Sequence, residues 1–104
     1  MSVKIRAQRF GIQMHLRYRR SGESKWWNGT TENISRSGVL FRGEIFAEPQ
    51  TPLEMSFVLP DENFGVRPAE VFCRGVVVRS ERPRDARAFP FLASTISHYR
   101  FVRP

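Results

Sequence analysis

Hydrophobic and polar residues alternate along much of the chain, and this period of two predicts β-strands. The first such segment places four apolar side chains on one face and polar ones between them; these are Ile12, Met14, Leu16 and Tyr18. Turn-forming residues follow at 20–24, and an aromatic, Thr-rich strand is expected over 26–34. The two segments together predict a half-buried hairpin.

Four further strands are expected from the same pattern, over 39–42, 53–59, 69–80 and 87–93. Gly75 predicts a bulge or bend in the long strand, and Pro90 predicts an edge or bulged position in the last one. Beyond them, Leu92, Ile96 and Tyr99 have only a weak helical spacing. Six short strands with turns at this spacing predict an all-β fold, an antiparallel barrel or sandwich with little helix.

Length and composition place the chain among small globular proteins. Its 104 residues fit one domain, and its 40% hydrophobic residues are too many for a disordered tail. No apolar run approaches the roughly 20 residues of a membrane helix, and the N-terminus lacks the pattern of a secretory signal. A single cysteine excludes an internal disulfide and a thiolate zinc site. We therefore expect a cytoplasmic protein without membrane insertion and without a metal.

The charge of the chain indicates what kind of partner it binds. The formal net charge is +7, and 15 of the 17 basic residues are Arg, which grips phosphate or a guanine edge with a planar fork of donors. Residues 1–36 hold eight basic and two acidic side chains, a net of +6, whereas residues 37–104 hold nine and eight, a net of +1. An anionic partner at the N-terminal third is expected, although charge alone fits a solvated basic surface equally well.

Candidates for catalysis or metal binding are few. The two histidines are 83 positions apart and belong to no metal-ligand pattern, so His15 is expected to be exposed. Cys73 lies in an apolar strand and is expected to be a buried, inert thiol. Trp26 and Trp27 could stack on a base, but an adjacent aromatic pair more often puts one ring in the core and one over the rim. No feature favours an enzyme.

The polar link over 33–38 between two predicted strands carries the most specific chemistry. The amide of Asn33 can meet a purine edge, Ser35 adds a donor, and Gly38 lets a flat ligand approach the backbone. The same residues also suit an ordinary turn in which Asn and Ser bond the local backbone. In isolation the ordinary turn is the more common explanation.

In its context this link resembles a signature of the PilZ domain, the bacterial cyclic di-GMP receptor family. Asn33, Ser35 and Gly38 fit Asp/Asn-x-Ser-x-x-Gly, which follows a hairpin and precedes an apolar strand, as in that family. The family's other signature, Arg-x-x-x-Arg, is altered: Arg9 falls on its second arginine, Ile5 falls on the first, and Arg6 lies one position away. The resemblance implies a six-stranded antiparallel β-barrel over 12–104, preceded by a flexible basic arm over 1–11.

The resemblance also implies a function in signalling. A non-catalytic receptor would bind cyclic di-GMP, with Arg6 and Arg9 on phosphates and guanine edges and Asn33, Ser35 and Gly38 on the barrel side. It would need no other cofactor and would act on an unidentified protein partner. Two alternatives stay open. Ile5 favours a degenerate adaptor that docks a protein without the nucleotide, and a basic barrel binding single-stranded nucleic acid is the less expected reading.

Overall fold

The computed structural model describes residues 13–59 and 69–102, and every regular element in these ranges is a β-strand. The strands are β1 (His15–Arg20), β2 (Trp27–Ile34), β3 (Gly38–Gly43), β4 (Pro52–Leu59), β5 (Ala69–Glu81), β6 (Phe91–Thr95) and β7 (Ser97–Val102). No segment of these two ranges forms a helix able to cross a membrane. The predicted arm over 1–11, with Ile5, Arg6 and Arg9, lies outside the described residues.

Six of the strands form a closed antiparallel barrel. Hydrogen-bonded pairing runs in the order β4-β1-β2-β3-β6-β5, and pairing between β4 and β5 closes the ring. The predicted all-β, six-stranded antiparallel barrel is thereby confirmed. Because a closed ring leaves no strand of the barrel without two neighbours, the ladder hydrogen bonds are satisfied around the whole wall.

The short helical turn suggested by the spacing of Leu92, Ile96 and Tyr99 is a wrong prediction. Residues Ser97–Val102 form β7, which pairs with β5 and places Phe101 opposite Val71. Leu92 and Ile96 are both buried in the barrel core, so their spacing reflects a sheet that is interrupted at Ile96 rather than a helix face. The preceding strand also begins later than predicted, at Phe91.

Alternating side chains of the strands fill the barrel, and Tyr18 is one of the largest of the fully buried ones. The Tyr18 ring is fully buried and meets Phe41 edge to face at 4.9 Å between centroids. Its hydroxyl donates to the Ile45 carbonyl at 2.6 Å and accepts from the Ile45 N–H at 2.8 Å. Burial raises the pKa of Tyr18 to about 12. The hydroxyl therefore stays protonated and holds the chain that leaves β3 against the barrel.

The long strand β5 changes partner at Gly75. Along one edge it pairs with β4, and along the other it pairs first with β7 and then with β6. Register shifts lie on both sides of Gly75, between Phe72 and Arg74 and between Val77 and Arg79. A Cβ at Gly75 would collide with the backbone carbonyl of Thr95. The predicted bend is therefore a real irregularity, and glycine is needed because β6 joins β7 directly against it.

We predict that Gly75→Ala destabilises the barrel by about 1–3 kcal/mol, because the added methyl must displace backbone rather than a flexible side chain. Chemical denaturation followed by tryptophan fluorescence measures the change. Val78→Ala, at an exposed position of the same strand, is the matched control and should change the free energy of unfolding by under about 0.5 kcal/mol. Equal stability of Gly75→Ala and the parent would contradict the close approach.

We predict that Cys73 is inert in the folded protein. Its side chain is buried, and burial raises the pKa of the thiol from 9.0 to about 11. Two pKa units lower the thiolate fraction at pH 8 about a hundredfold, so reaction with a disulfide reagent should be slower by at least that factor than in the unfolded chain. Rapid labelling of the native protein at pH 8 would show that the core opens at β5.

Candidate functional site

The Asn-x-Ser-x-x-Gly segment opens onto a groove on the barrel wall. The groove has a volume of about 430 Å³, within the range of small-molecule sites. Asn33, Ser35 and Gly38 all line it, so the structure brings the three barrel-side candidates of the sequence together. The opposite side comes from distant strands: Val78 and Arg79 of β5, and Ala93, Ser94 and Thr95 of β6.

Backbone irregularity brings Asn33 to the groove. The register between β2 and β3 shifts between Thr31 and Asn33, which is the sign of a β-bulge. A bulge re-aims the side chains that follow it, and bulges are common beside binding sites. Asn33 then pairs with Leu40, and its half-buried side chain lines the groove.

Hydrogen bonds fix the turn that follows. The Ser35 N–H donates to the Gly38 carbonyl at 2.8 Å, and the Ser37 carbonyl accepts from the Ile96 N–H at 2.9 Å. The Ser35 hydroxyl lies 3.4 Å from both the Gly38 carbonyl and the Ser37 nitrogen. The residues therefore build a satisfied turn, as the ordinary explanation of the motif expects, and that turn forms a wall of the groove.

Gly38 keeps the groove open on its inner side. It pairs with Thr95 across the β3–β6 ladder, and a Cβ at this position would lie 3.3 Å from the Ser94 carbonyl. A larger side chain would crowd this wall, whereas glycine leaves the backbone accessible to a flat molecule.

Arg79 is a groove residue that the sequence analysis missed. It is exposed, lines the groove, and has no ion-pair partner among the residues that the structure describes. It comes directly after Val78, the extra residue of β5 where the register with β6 shifts, and this bulge breaks the simple alternation. Its position after an apolar run in a basic chain was a signal for a surface cation, but not for this groove.

The first residues that the structure describes lie beside β2, the strand that carries Asn33. The Met14 N–H donates to the Thr31 hydroxyl at 2.8 Å, and the Thr31 N–H donates to the Met14 carbonyl at the same distance. Thr31 is two residues before Asn33, and β1 runs antiparallel to β2. The first described residues therefore lie at the end of β2 that leads into the groove.

The remaining sequence candidates do not form a second chemical centre. His15 is exposed, as predicted, with its Nε2 atom 2.7 Å from Oδ1 of Asn28. Within residues 13–59 and 69–102 no group of His, Cys, Asp or Glu could hold a metal. Trp27 packs against the core, whereas the Trp26 ring lies outside with the guanidinium groups of Arg17 and Arg19 at 5.1 and 4.4 Å from its centroid. This pair divides between core and surface as expected.

Comparison with known proteins gives a family and a fold. The solved structure of the Bacillus subtilis inhibitor of motility (MotI/DgrA) aligns with a TM-score of 0.71 at 13% identity, over 94% of this chain and 44% of the other. This chain therefore spans less than half of that structure, and at such low identity the likeness concerns the fold alone. No curated protein matches the sequence. The PilZ domain profile matches residues 4–98, nearly the whole chain, and the protein therefore belongs to the PilZ domain family.

Proposed function

We propose that this PilZ domain is a non-catalytic receptor for cyclic di-GMP, working in the bacterial cytoplasm. The observation that carries the proposal is the meeting of Asn33, Ser35 and Gly38 with Arg79 at one groove. PilZ domains as a family bind this nucleotide, and the groove offers an amide, a hydroxyl, open backbone and a cation to a guanine and its phosphate.

The geometry of the chain entry supports a role for the arginine arm. Arg9 is four residues before Gln13, the first described residue, so an extended link spans at most about 14 Å. Gln13 and Met14 lie beside β2, close to the strand end that carries Asn33. A link of this length would let Arg9 reach a nucleotide in the groove, and Arg6 is three residues further along the chain.

The proposed mechanism is binding without reaction. Cyclic di-GMP carries two phosphates and two guanines, and the arm arginines would bind phosphate and the O6/N7 edge of guanine. Asn33 and Ser35 would hold a guanine against the barrel, where Gly38 allows close contact. Binding would order the arm at a cost in conformational entropy, so the output is a shift in population that a protein partner detects.

One observation favours a second candidate function. Ile5 stands where the family signature has its first arginine, which removes one charged, forked donor from the arm. A domain that had lost the nucleotide would act as an adaptor that docks a protein partner constitutively. Direct titration separates the two functions.

We predict saturable binding of cyclic di-GMP in calorimetry with ligand up to about 100 µM, the range in which a few charge-assisted bonds suffice. Cyclic di-AMP is the control, because it has the same phosphates and ring size but lacks the guanine O6 acceptor. Heat from both nucleotides alike would indicate a phosphate site only. The absence of heat from cyclic di-GMP would overturn the receptor and favour the adaptor.

We predict that Arg9→Ala weakens cyclic di-GMP binding by at least about 2 kcal/mol, since a charge-assisted bond to phosphate or guanine is lost. Arg79→Ala should weaken it by about 1–2 kcal/mol, because this cation lines the groove wall. Arg87→Ala is the matched control, as Arg87 is an exposed arginine that does not line the groove. Unchanged affinity of the Arg9 variant would show that the arm is misaligned with the family signature.

A further inference from the structure

β7 is the strand of the described part of the chain that has one neighbour instead of two. It pairs with β5 along one edge, and no described strand pairs with its other edge. β7 has six residues, but His98 has a positive φ and the register with β5 shifts there, so residues 99–102 present a regular ladder of roughly 13 Å to a further strand. Natural sheets usually protect such an edge, so an edge that is left open is a place where another chain can pair.

The inner face of β7 continues into an apolar groove. Tyr99 and Phe101 are 45% and 60% exposed, which is high for large apolar side chains. The groove has a volume of about 440 Å³, and its apolar lining consists of Ile34, Phe57, Val71, Ile96, Tyr99 and Phe101. Exposed apolar surface beside an open strand edge is typical of a protein interaction site.

The outer face of the same strand is cationic. His98 and Arg100 line a second surface groove together with Arg74 of β5. The guanidinium carbon of Arg100 lies over the Phe72 ring, 5.3 Å from its centroid, which is a cation–π distance. The nearby carboxylates are engaged elsewhere, Glu54 with Arg19 at 2.7 Å and Glu70 with Arg17 at 3.7 Å. In the described residues, Arg74 and Arg100 have no ion-pair partner.

We propose that the open edge of β7 binds an extended segment of a partner protein in which apolar and acidic residues alternate. An added strand points successive side chains to opposite faces of the sheet. Those on one face would enter the groove beside Tyr99 and Phe101, and those on the other would meet Arg74 and Arg100. The register of β7 thus dictates the sequence pattern of its partner. This surface shares only Ser35 with the lining of the proposed nucleotide groove, and the proposal does not rest on nucleotide binding.

Two other occupants fit this surface less well, a second copy of the strand and a single-stranded nucleic acid. A second copy of β7 would bring Arg100 of both chains onto the same face, and like charges across a strand pair are destabilising. A single-stranded nucleic acid would need open aromatic faces beside the cations, but both rings of the cationic groove already lie under guanidinium groups, Phe72 under Arg100 and Trp26 under Arg17 and Arg19. The exposed Tyr99 and Phe101 lie on the opposite face, away from Arg100. An extended peptide in which apolar and acidic residues alternate matches the apolar groove on one face and the arginines on the other.

The test uses fluorescence anisotropy of the full chain with labelled probe peptides of about eight residues, the length of an ordinary strand. The main probe alternates Val and Glu. One control probe has the same composition with Val and Glu in separate blocks, and another has Lys in place of Glu. A fourth probe alternates Val and Glu but carries N-methyl groups along one backbone edge, which removes its ladder donors. We expect the main probe to bind at least about tenfold tighter than each control.

Variants connect that binding to β7. Arg100→Glu should invert the preference between the Glu and Lys probes, and Phe101→Ser should weaken the main probe about tenfold. Val58→Ser in β4 and Arg87→Glu in the segment before β6 are the matched controls at exposed positions, and they should leave binding unchanged. Circular dichroism verifies that each variant is folded, and inversion by Arg100→Glu is a gain that misfolding cannot produce.

Three results would overturn the proposal. The first is no saturable binding of the main probe up to millimolar protein. The second is binding that neither Arg100→Glu nor Phe101→Ser changes. The third is evidence for a different occupant, shown either by a dimer in sedimentation that Phe101→Ser dissociates or by a poly-thymidine strand that displaces the main probe.

Discussion

The exchange of partners along β5 is the constraint on which the rest of the structure depends. This strand pairs with β4 along one edge and so closes the barrel. Along its other edge it pairs with β7 and then with β6, and Gly75 lies where one partner gives way to the next. Two register shifts are needed to fit three strands around one, and side chains after each shift point where a regular strand would not send them. One shift places Arg79 on the wall of the motif groove. The other lies in β7, whose far edge no described strand covers.

Much of the barrel could be predicted from the sequence because its strands obey a period of two. Leu16 and Tyr18 alternate with polar residues, and both are buried where the pattern places them. The prediction failed where that period is interrupted. At Ile96 the chain changes from β6 to β7, and His98 has a positive φ of 55°. The alternation of Tyr99 and Phe101 with His98 and Arg100 was present in the sequence, but it is short and follows a break that resembles helical spacing.

The candidate site divides in the same way between local and distant contributions. Asn33, Ser35 and Gly38 lie within six residues, so a local motif identifies them and the turn brings them together. Arg79 reaches the same groove from a strand more than forty residues later, and only the pairing register of β5 with β6 sets its position. Such a residue carries no local signal, because a bulge is a property of two paired strands and not of one sequence.

The Ser35 turn borders two grooves, that of the Asn-x-Ser-x-x-Gly motif on one side and the apolar one beside β7 on the other. Because the same turn forms part of both walls, a ligand that shifts it from one groove also changes the shape of the other groove. By thermodynamic linkage, each ligand then changes the binding affinity of the other by the same factor. The barrel thus needs no long relay through its core to connect a small solute with a protein partner, since they would share a wall.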